Sequence, residues 1–204
     1  MIKKKLKKIQ KENEQFKNKI KNNKINSYFK KYNLTRKEKI QIEQWTNKKC
    51  GEIIFDSNID DWSKNTKFYE KIIKKENFII IIEDNENNKF GGYVNEKINS
   101  INNSWYGNQN MFLFSLQRNG KNEMKKYNKR LNNCCNGFNI YEKSIDSFFG
   151  FGDGHYDLYI PKYEKKNSAI CKETYAFDYN GIKNALRGNN NRFTVDKIII
   201  IQMK

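Results

Sequence analysis

Long apolar runs are missing from this sequence, which excludes a helical membrane protein. The longest run, Phe78–Ile82, has 5 residues among 204, whereas a membrane-spanning helix needs about 20. The basic start of the chain is not followed by an apolar stretch, so we predict no secretory signal. The expected location is therefore intracellular, in the cytoplasm or alternatively in the nucleus.

Cysteine and histidine are too few and too scattered for a metal site. Cys50, Cys134, Cys135 and Cys171 include no C-x-x-C pair, and His155 is the only histidine. A zinc site needs such ligands at chelating spacing, so we expect no metal and no cofactor. Without an export signal the thiols should be reduced. A disulfide between the adjacent Cys134 and Cys135, and any redox role for them, stays open.

Arginine is scarce although the chain is strongly basic. The net charge is +17, of which residues 1–49 carry +13 and residues 50–204 carry +4. Only 5 of the 40 basic residues are arginine, namely Arg36, Arg118, Arg130, Arg187 and Arg192. Because base reading favours arginine, the lysines predict at most nonspecific contact with phosphates. Lysine, asparagine and isoleucine number 35, 32 and 26, and their codons rich in A and T offer a second explanation for the lysine content.

Residues 1–33 are predicted to form a basic N-terminal arm. A heptad spacing links Ile2, Leu6, Ile9, Asn13, Phe16 and Ile20. This pattern is typical of a short coiled-coil seam and predicts weak self-association, with a solvated helical tail as the alternative. A run of lysines like a nuclear-localisation sequence provides the candidate polyanion-binding residues. They are Lys3, Lys4, Lys5, Lys7 and Lys8.

Residues 34–204 are predicted to form one domain that opens with a helix. Thr35 and Glu38 match a capping box, which starts a helix that runs to about Asn47. Trp45 is expected to dock this helix onto the rest of the domain. A second short helix is predicted over residues 65–75.

From Cys50 onward the sequence consists of short strand-like runs bounded by Asn, Asp and Gly. The predicted strands are Glu52–Phe55, Phe78–Glu83, Phe90–Asn95, Met111–Leu116, Phe138–Glu142, Tyr156–Ile160 and Phe193–Met203. Ile79–Ile82 and Ile198–Ile201 show no alternation, which is typical of central strands covered on both faces. The predicted fold class is α+β, a two-sheet antiparallel β-sandwich with a few flanking helices, preceded by the basic N-terminal helix.

His155 is the first candidate for a catalytic residue. Asp153 and Asp157 would flank it on one face of an extended strand, an arrangement that suits a metal ligand set or a general base. Against this, the apolar positions of the strand predict that Asp157 points outward and that His155 is exposed. No nucleophile elbow or cysteine-protease signature lies nearby. We therefore predict that the chain is not an enzyme, with a site at His155 or Cys171 as the alternative.

The glycine-rich segments favour a structural interpretation. Gly150, Gly152 and Gly154 precede a predicted strand, whereas a phosphate-binding loop precedes a helix. These glycines are expected to allow positive φ angles and close approach of the backbone. Gly91 and Gly92 within a strand indicate a bulge or a place of tight packing.

The order of these motifs resembles that of the TLDc domain family. The similar segments are Ile53–Ser57, Asp61–Ser63, Phe78–Asp84, Phe90–Val94, Trp105–Gly107, Phe112–Leu116, Phe149–Gly152, Tyr156–Ile160, Ser168–Tyr175 and Phe193–Val195. No single motif is specific for the TLDc family, but the order of all of them over residues 50–203 is. The sequence departs from the family where Phe151 and Asp153 interrupt the glycine run, and the segment after Cys171 lacks the usual proline-rich sequence.

The resemblance implies a β-sandwich, a role in protection from oxidative damage, and direct binding to the V-type proton ATPase. It implies no catalytic mechanism. The family-motif residues, expected to be structural, are Ser57, Gly91, Gly92, Gly150, Gly152, Ser168, Cys171 and Thr174. The predicted function is thus a non-enzymatic TLDc interaction module with V-type ATPase subunits as partners. The alternative is a stress-related, nucleic-acid-binding regulatory protein that uses the lysine-rich arm.

Overall fold

The chain divides into two compact units, Met1–Ile40 and Gln41–Lys204. The computed structural model describes residues 10, 12–17, 32–63, 65–100, 105–131, 137–141, 146–152, 156–172, 176–188 and 190–204. Within these ranges no helix is both long enough and apolar enough to span a membrane. The predicted boundary between residues 33 and 34 stays a prediction.

The first unit contains the described part of the basic arm. Residues 12–17 are helical and exposed, and the ring of Phe16 is 64% exposed. Asn13 and Phe16 are the described members of the predicted seam. The other members, Ile2, Leu6, Ile9 and Ile20, and the lysines Lys3, Lys4, Lys5, Lys7 and Lys8 lie outside the described residues. The coiled-coil and polyanion-binding hypotheses therefore stay predictions.

Helix α1, Arg36–Thr46, begins at the predicted capping box. The backbone N–H of Thr35 donates to Glu38 Oε2 at 2.6 Å, and the N–H of Glu38 donates to Thr35 Oγ1 at 3.2 Å. These two bonds satisfy donors that a helix start otherwise leaves unpaired. The unit boundary falls inside α1, so that its C-terminal part belongs to the second unit.

The C-terminal part of α1 packs within the second unit, as predicted. Ile42 is fully buried. The ring centroid of Trp45 lies 6.3 Å from that of Phe112 and 6.1 Å from that of Phe114. These contacts cover strand residues that point away from the sandwich core.

The second unit is an antiparallel β-sandwich with short helices. Its first six strands are β1 (Cys50–Asp56), β2 (Phe78–Asp84), β3 (Lys89–Val94), β4 (Trp105–Tyr106), β5 (Phe112–Arg118) and β6 (Lys121–Asn128). The other six are β7 (Phe138–Ile140), β8 (Ser147–Phe151), β9 (Leu158–Pro161), β10 (Ala169–Cys171), β11 (Arg192–Phe193) and β12 (Val195–Met203). Helix α2 (Asn65–Ile72) and a 3₁₀ helix (Tyr163–Ser168) complete the elements.

The strands form two sheets of six, which confirms the predicted fold class. The first has the order β1-β12-β2-β3-β5-β6, and the second has the order β11-β10-β9-β8-β7-β4. All of the strand pairs are antiparallel. One apolar core draws residues from both sheets, among them Ile80, Ile200, Phe138 and Phe149.

The two isoleucine runs occupy the centre of the first sheet, as predicted. Ile79–Ile82 in β2 pair with Ile198–Ile201 in β12, and every member is at most 1% exposed. Successive side chains of a strand point to opposite faces, so burial of all of them means that both faces are covered. The non-alternating apolar sequence is what a strand in this central position requires.

Four strands were not predicted from the sequence, namely β4, β6, β8 and β10. Strand β6 is polar because it forms one edge of the first sheet, where only one side is paired. Strand β8 contains Gly150, which was predicted only to precede a strand. The predicted strand Phe193–Met203 is divided between β11 in the second sheet and β12 in the first.

Candidate functional site

Ser57 extends the pairing between β1 and β12 beyond the end of β1. Its backbone N–H donates to the carbonyl of Ile198 at 3.0 Å, and its Oγ accepts the N–H of Ile198 at 2.9 Å. The side chain thus takes the place of the strand carbonyl that would otherwise accept this bond.

Gly91 and Gly92 allow β3 to lie close to the neighbouring strand β2 and to the second sheet. A Cβ atom on Gly91 would lie 1.8 Å from the carbonyl oxygen of Ile80, and one on Gly92 would lie 2.4 Å from the ring of Phe151. Phe151 belongs to the second sheet, so Gly92 sets how closely the two sheets approach. The pairing of β2 with β3 is in continuous register at both glycines. The sequence predicted either a bulge or tight packing at these glycines, and in the pairing of β2 with β3 tight packing is observed.

Gly150 and Gly152 both allow close approach of the backbone around β8, but of the two Gly152 alone has the predicted positive φ. Gly150 lies within the strand, and a Cβ there would lie 3.1 Å from the carbonyl oxygen of Leu158. Gly152 has a φ of +90°, and a Cβ there would lie 2.3 Å from Asp157 Oδ2. The glycine at 152 therefore combines a positive φ with close approach to a carboxylate, as the sequence analysis predicted in general terms.

Asp157 is buried, which shows that the prediction of an outward-facing carboxylate was wrong. Its Oδ2 accepts the backbone N–H of Ala176 at 2.9 Å, and its Oδ1 accepts the hydroxyl of Tyr179 at 3.0 Å. The alternation assumed in that prediction does not extend back to residue 157, because β9 begins at Leu158 and Tyr156 has a φ of +48°. The buried carboxylate anchors the segment that follows β10.

The remaining motif residues divide between structural positions and undescribed ones. Cys171 in β10 is 4% exposed, and its backbone N–H donates to the carbonyl of Asn191 at 2.7 Å. The hydroxyl of Ser168 donates to the carbonyl of Lys165 at 2.7 Å, at the end of the 3₁₀ helix. Outside the described residues lie His155, Asp153, Thr174, Cys134 and Cys135.

A buried ion pair between Asp84 and Arg187 is the feature that the sequence analysis missed. Arg187 Nε donates to Asp84 Oδ2 at 2.6 Å, and both side chains are at most 1% exposed. Arg187 Nη1 donates to the carbonyl of Asn190 at 2.5 Å, and its Cζ lies 4.5 Å from the centre of the Phe193 ring. The only hint in the sequence is an arginine in a lysine-rich chain, since the planar guanidinium suits a buried pair better than an ammonium does.

Asp84 also closes the turn between β2 and β3. Its Oδ1 accepts the backbone N–H groups of Glu86 and Asn88, each at 2.9 Å. The side-chain amide of Asn88 donates to Asp84 Oδ2 at 2.8 Å. One carboxylate therefore joins the hairpin turn to the segment around Arg187.

Asp157 and Arg187 together hold the long connection between β10 and β11. The connection covers residues 172–191, and its described residues form no helix or ladder strand. Ala176, Phe177 and Tyr179 are buried, whereas Asp178 and Lys183 are exposed. Loops of this length without secondary structure are usually either functional or linkers, and the burial of Ala176, Phe177 and Tyr179 is unlike a linker. This connection, fixed from inside by two buried charged groups, is the candidate functional surface.

Among the described residues no three His, Cys, Asp or Glu side chains come together as a metal site. The described motif residues make hydrogen bonds to the backbone and packing contacts. A family model for the TLDc domain matches residues 15–198. The chain belongs to the TLDc family. The match begins earlier than the resemblance over residues 50–203 indicated, and it includes α1 and part of the basic arm.

A curated relative extends this comparison. The chain is 34% identical over 96 residues to oxidation resistance protein 1 of Kluyveromyces lactis. The match covers 41% of this chain and 38% of that TLDc relative, so the chain matches well under half of the relative's length.

Proposed function

We propose that this TLDc protein is a non-enzymatic interaction module that acts in resistance to oxidative damage. The observation that carries the proposal is the family match over residues 15–198. The printed name of the Kluyveromyces lactis relative, oxidation resistance protein 1, supports the oxidative role. The contacts of the described motif residues support the non-enzymatic role, because each described one acts in pairing or packing.

The proposed partner is a subunit of the V-type proton ATPase, and the proposed binding surface is the connection between β10 and β11. Affinity is higher when a binding loop is ordered before the partner arrives, because less conformational entropy is lost on association. Asp157 and Arg187 provide that order from beneath the loop. Asp178, Asn180 and Lys183 are exposed and available to a partner.

Capture of V-type ATPase subunits by the immobilised full chain tests the partner. Lys183→Glu should lower the recovery of the subunits by about tenfold, since charge reversal at an interface costs one to several kcal/mol. Lys121→Glu is the matched control, because Lys121 is also exposed but lies at the start of β6. Equal recovery with both variants would exclude this loop as the binding surface, and no recovery with the unmodified chain would exclude the partner.

Survival under peroxide tests the oxidative role separately. Kluyveromyces lactis cells that lack their oxidation resistance protein 1 should regain peroxide resistance when they express this chain. Asp157→Ala should abolish the rescue by releasing the loop, whereas Asp196→Ala, at an exposed aspartate of β12 outside the loop, should leave it largely intact. Rescue by both variants alike would argue against a role for the ordered loop.

A nucleic-acid-binding function is the second candidate, favoured by the charge of +13 on residues 1–49. Such a function predicts binding that weakens steeply with salt.

A further inference from the structure

Three tyrosine rings meet on the face of the second sheet that points away from the sandwich core. Tyr159 lies between the core residues Leu158 and Ile160 in β9, so its side chain points to the opposite face. Its ring centroid is 5.0 Å from that of Tyr156 and 6.4 Å from that of Tyr141. The centroids of Tyr141 and Tyr156 are 6.0 Å apart. All three distances are those of directly packed aromatic rings, and we refer to the three residues as the tyrosine cluster.

Gly150 in β8 makes room for the tyrosine cluster. It lies opposite Asn139 on one side and Tyr159 on the other, and residues that lie opposite each other share a face of the sheet. A Cβ atom on Gly150 would lie 3.5 Å from Tyr156 Cδ1 and 3.6 Å from the hydroxyl oxygen of Tyr141. These are ordinary van der Waals distances, so both side chains lie directly over the glycine. A larger side chain at this position would fill the space in which the rings meet.

The tyrosine cluster is open to small molecules from the solvent, whereas a second tyrosine pair of the same spacing is buried. All three side chains of the cluster are partly exposed. The ring centroids of Tyr127 and Tyr179 are 5.1 Å apart, but these side chains are only 1% and 4% exposed. Their hydroxyl groups donate to the carbonyl of Ala185 and to Asp157 Oδ1, respectively. The two pairs therefore differ in their access to solvent and not in the distance between their rings.

Proximity and access to solvent are the two conditions for cross-linking of tyrosines. A one-electron oxidant removes an electron and the phenolic proton from a tyrosine and leaves a phenoxyl radical. Two phenoxyl radicals whose rings are in contact form a bond between ring carbons ortho to the oxygens. The hydrogens on those carbons then move to the oxygens. The product is dityrosine, which has two hydrogen atoms fewer than the two tyrosines.

We propose that Tyr156 and Tyr159 are a site of oxidative modification, at which small one-electron oxidants form a dityrosine within the chain. The carbonate radical anion is such an oxidant, since it takes one electron and one proton from a phenol and becomes bicarbonate. Two carbonate radicals therefore account for one cross-link. The proposal does not rest on the role in resistance to oxidative damage, because the reaction requires only the folded chain and the oxidant.

Pulse radiolysis of the full chain in bicarbonate solution tests the site, because bicarbonate converts hydroxyl radicals to carbonate radicals. The chain is kept dilute to limit coupling between molecules, and the dose supplies several radicals per chain. The tryptic peptide of residues 144–162 contains both Tyr156 and Tyr159. In mass spectra this peptide should lose two hydrogen atoms without joining another peptide, and dityrosine fluorescence should rise. A cross-link of the buried pair would instead join the peptides of residues 127–129 and 173–183.

Three substitutions by phenylalanine separate this site from other tyrosines. Tyr156→Phe and Tyr159→Phe keep the aromatic ring and remove the phenol, so each should abolish the cross-linked form of the peptide 144–162. Tyr163→Phe is the matched control, since Tyr163 is 49% exposed and lies outside the cluster and outside this peptide. Its yield of the cross-link should equal that of the unmodified chain.

Four results would overturn the proposal. They are the absence of dityrosine from the unmodified chain, an unchanged yield in Tyr156→Phe or Tyr159→Phe, an equal loss in Tyr163→Phe, and cross-links mainly between Tyr127 and Tyr179 or between separate chains. The first would mean that the rings are not close enough to couple in solution. The last would mean that access to solvent does not select the tyrosine cluster.

Discussion

Tyr93 shows how burial changes the chemistry of a single side chain in this sandwich. Its hydroxyl donates to Asn77 Oδ1 at 2.8 Å. Burial, with a smaller contribution from the negative charge of Glu76, raises the pKa of Tyr93 to about 12. In the unfolded chain the same hydroxyl should titrate near pH 10.

This difference predicts how stability depends on pH. Between about pH 10 and 12 the unfolded chain releases the Tyr93 proton and the folded chain retains it, so the free energy of unfolding falls as the pH rises. The stabilisation that comes from the raised pKa of Tyr93 is fully present below about pH 10. Tyr93→Phe should lower stability at pH 7 by about 1 kcal/mol, through the lost hydrogen bond, and should flatten the fall above pH 10. Urea unfolding of both proteins from pH 7 to 11 checks this, and parallel curves would contradict the raised pKa.

The pair of Arg187 and Asp84 predicts a large effect of a single substitution. Arg187→Met leaves a buried carboxylate without its counter-ion, and we expect a loss of about 3–5 kcal/mol in the free energy of unfolding. Arg118→Met is the control, since Arg118 forms a pair of similar length, 2.7 Å, with the partly exposed Glu123. That control should lose less than about 1 kcal/mol. Denaturant unfolding measures both losses. Similar losses would show that burial does not set the contribution of the Arg187–Asp84 pair to stability.

The isoleucine runs and Asp157 mark where prediction from the sequence succeeds and where it stops. The non-alternating runs of isoleucine were enough to predict β2 and β12, because a strand covered on both faces needs apolar residues throughout. Nothing local to Asp157 distinguishes it from a solvated carboxylate. Its burial depends on partners at positions 176 and 179, which the fold brings to it. Arg187 and Asp84 are likewise separated by 103 positions in the sequence.

Helix α1 is the element whose removal should matter most for the rest of the domain. The capping-box sequence predicted it, and Trp45 and Ile42 supply its contacts in the second unit. A chain that begins at Leu34 should keep nearly the full melting temperature. A chain that begins at Gly51 should melt well below it, because the faces under Trp45 and Ile42 would be exposed to water.

Trp45→Ala in the full chain serves as the matched substitution for that truncation. We expect it to lower the free energy of unfolding by about 3 kcal/mol, through lost packing against Phe112 and Phe114. Differential scanning calorimetry of the two truncated chains and the variant measures the effects. Equal melting temperatures for the chains that begin at Leu34 and Gly51 would refute the docking of α1.

Strand β6 explains why elements at the edge of a sheet escape prediction. Its sequence, Lys121–Asn128, contains three lysines and a glutamate and has no apolar alternation. Edge strands use such charged residues to avoid pairing with other molecules. The same charged residues that protect this edge therefore remove the apolar alternation by which a strand is predicted.

The function of the basic arm can be decided by one substitution and one titration. If the heptad residues form a seam, the chain should self-associate, and Ile9→Glu should give monomers because a short seam cannot accommodate a buried charge. If the arm binds polyanions, Ile9→Glu should change little beyond the charge. Binding to duplex DNA should then fall with salt, with a logarithmic slope of about −5 for six phosphate contacts.

Sedimentation velocity and a salt titration on one preparation separate these outcomes. Asn122→Glu is a control that adds the same single negative charge at an exposed position of β6, outside the arm. A monomer with no measurable affinity for DNA would exclude both hypotheses and would leave codon bias as the explanation of the lysine content.

The position of β12 has a consequence for how this protein is made. It lies between β1 and β2 in the first sheet, yet it follows every other strand in the chain. At ordinary rates of translation, on the order of ten seconds separate the emergence of Asp56 from that of Val195. Throughout that interval β1 has no neighbour, and the nascent chain must stay bound to the ribosome without a complete sheet. Ribosome-bound chains that stop before Val195 should therefore remain sensitive to protease, whereas chains extended until Met203 leaves the exit tunnel should become resistant.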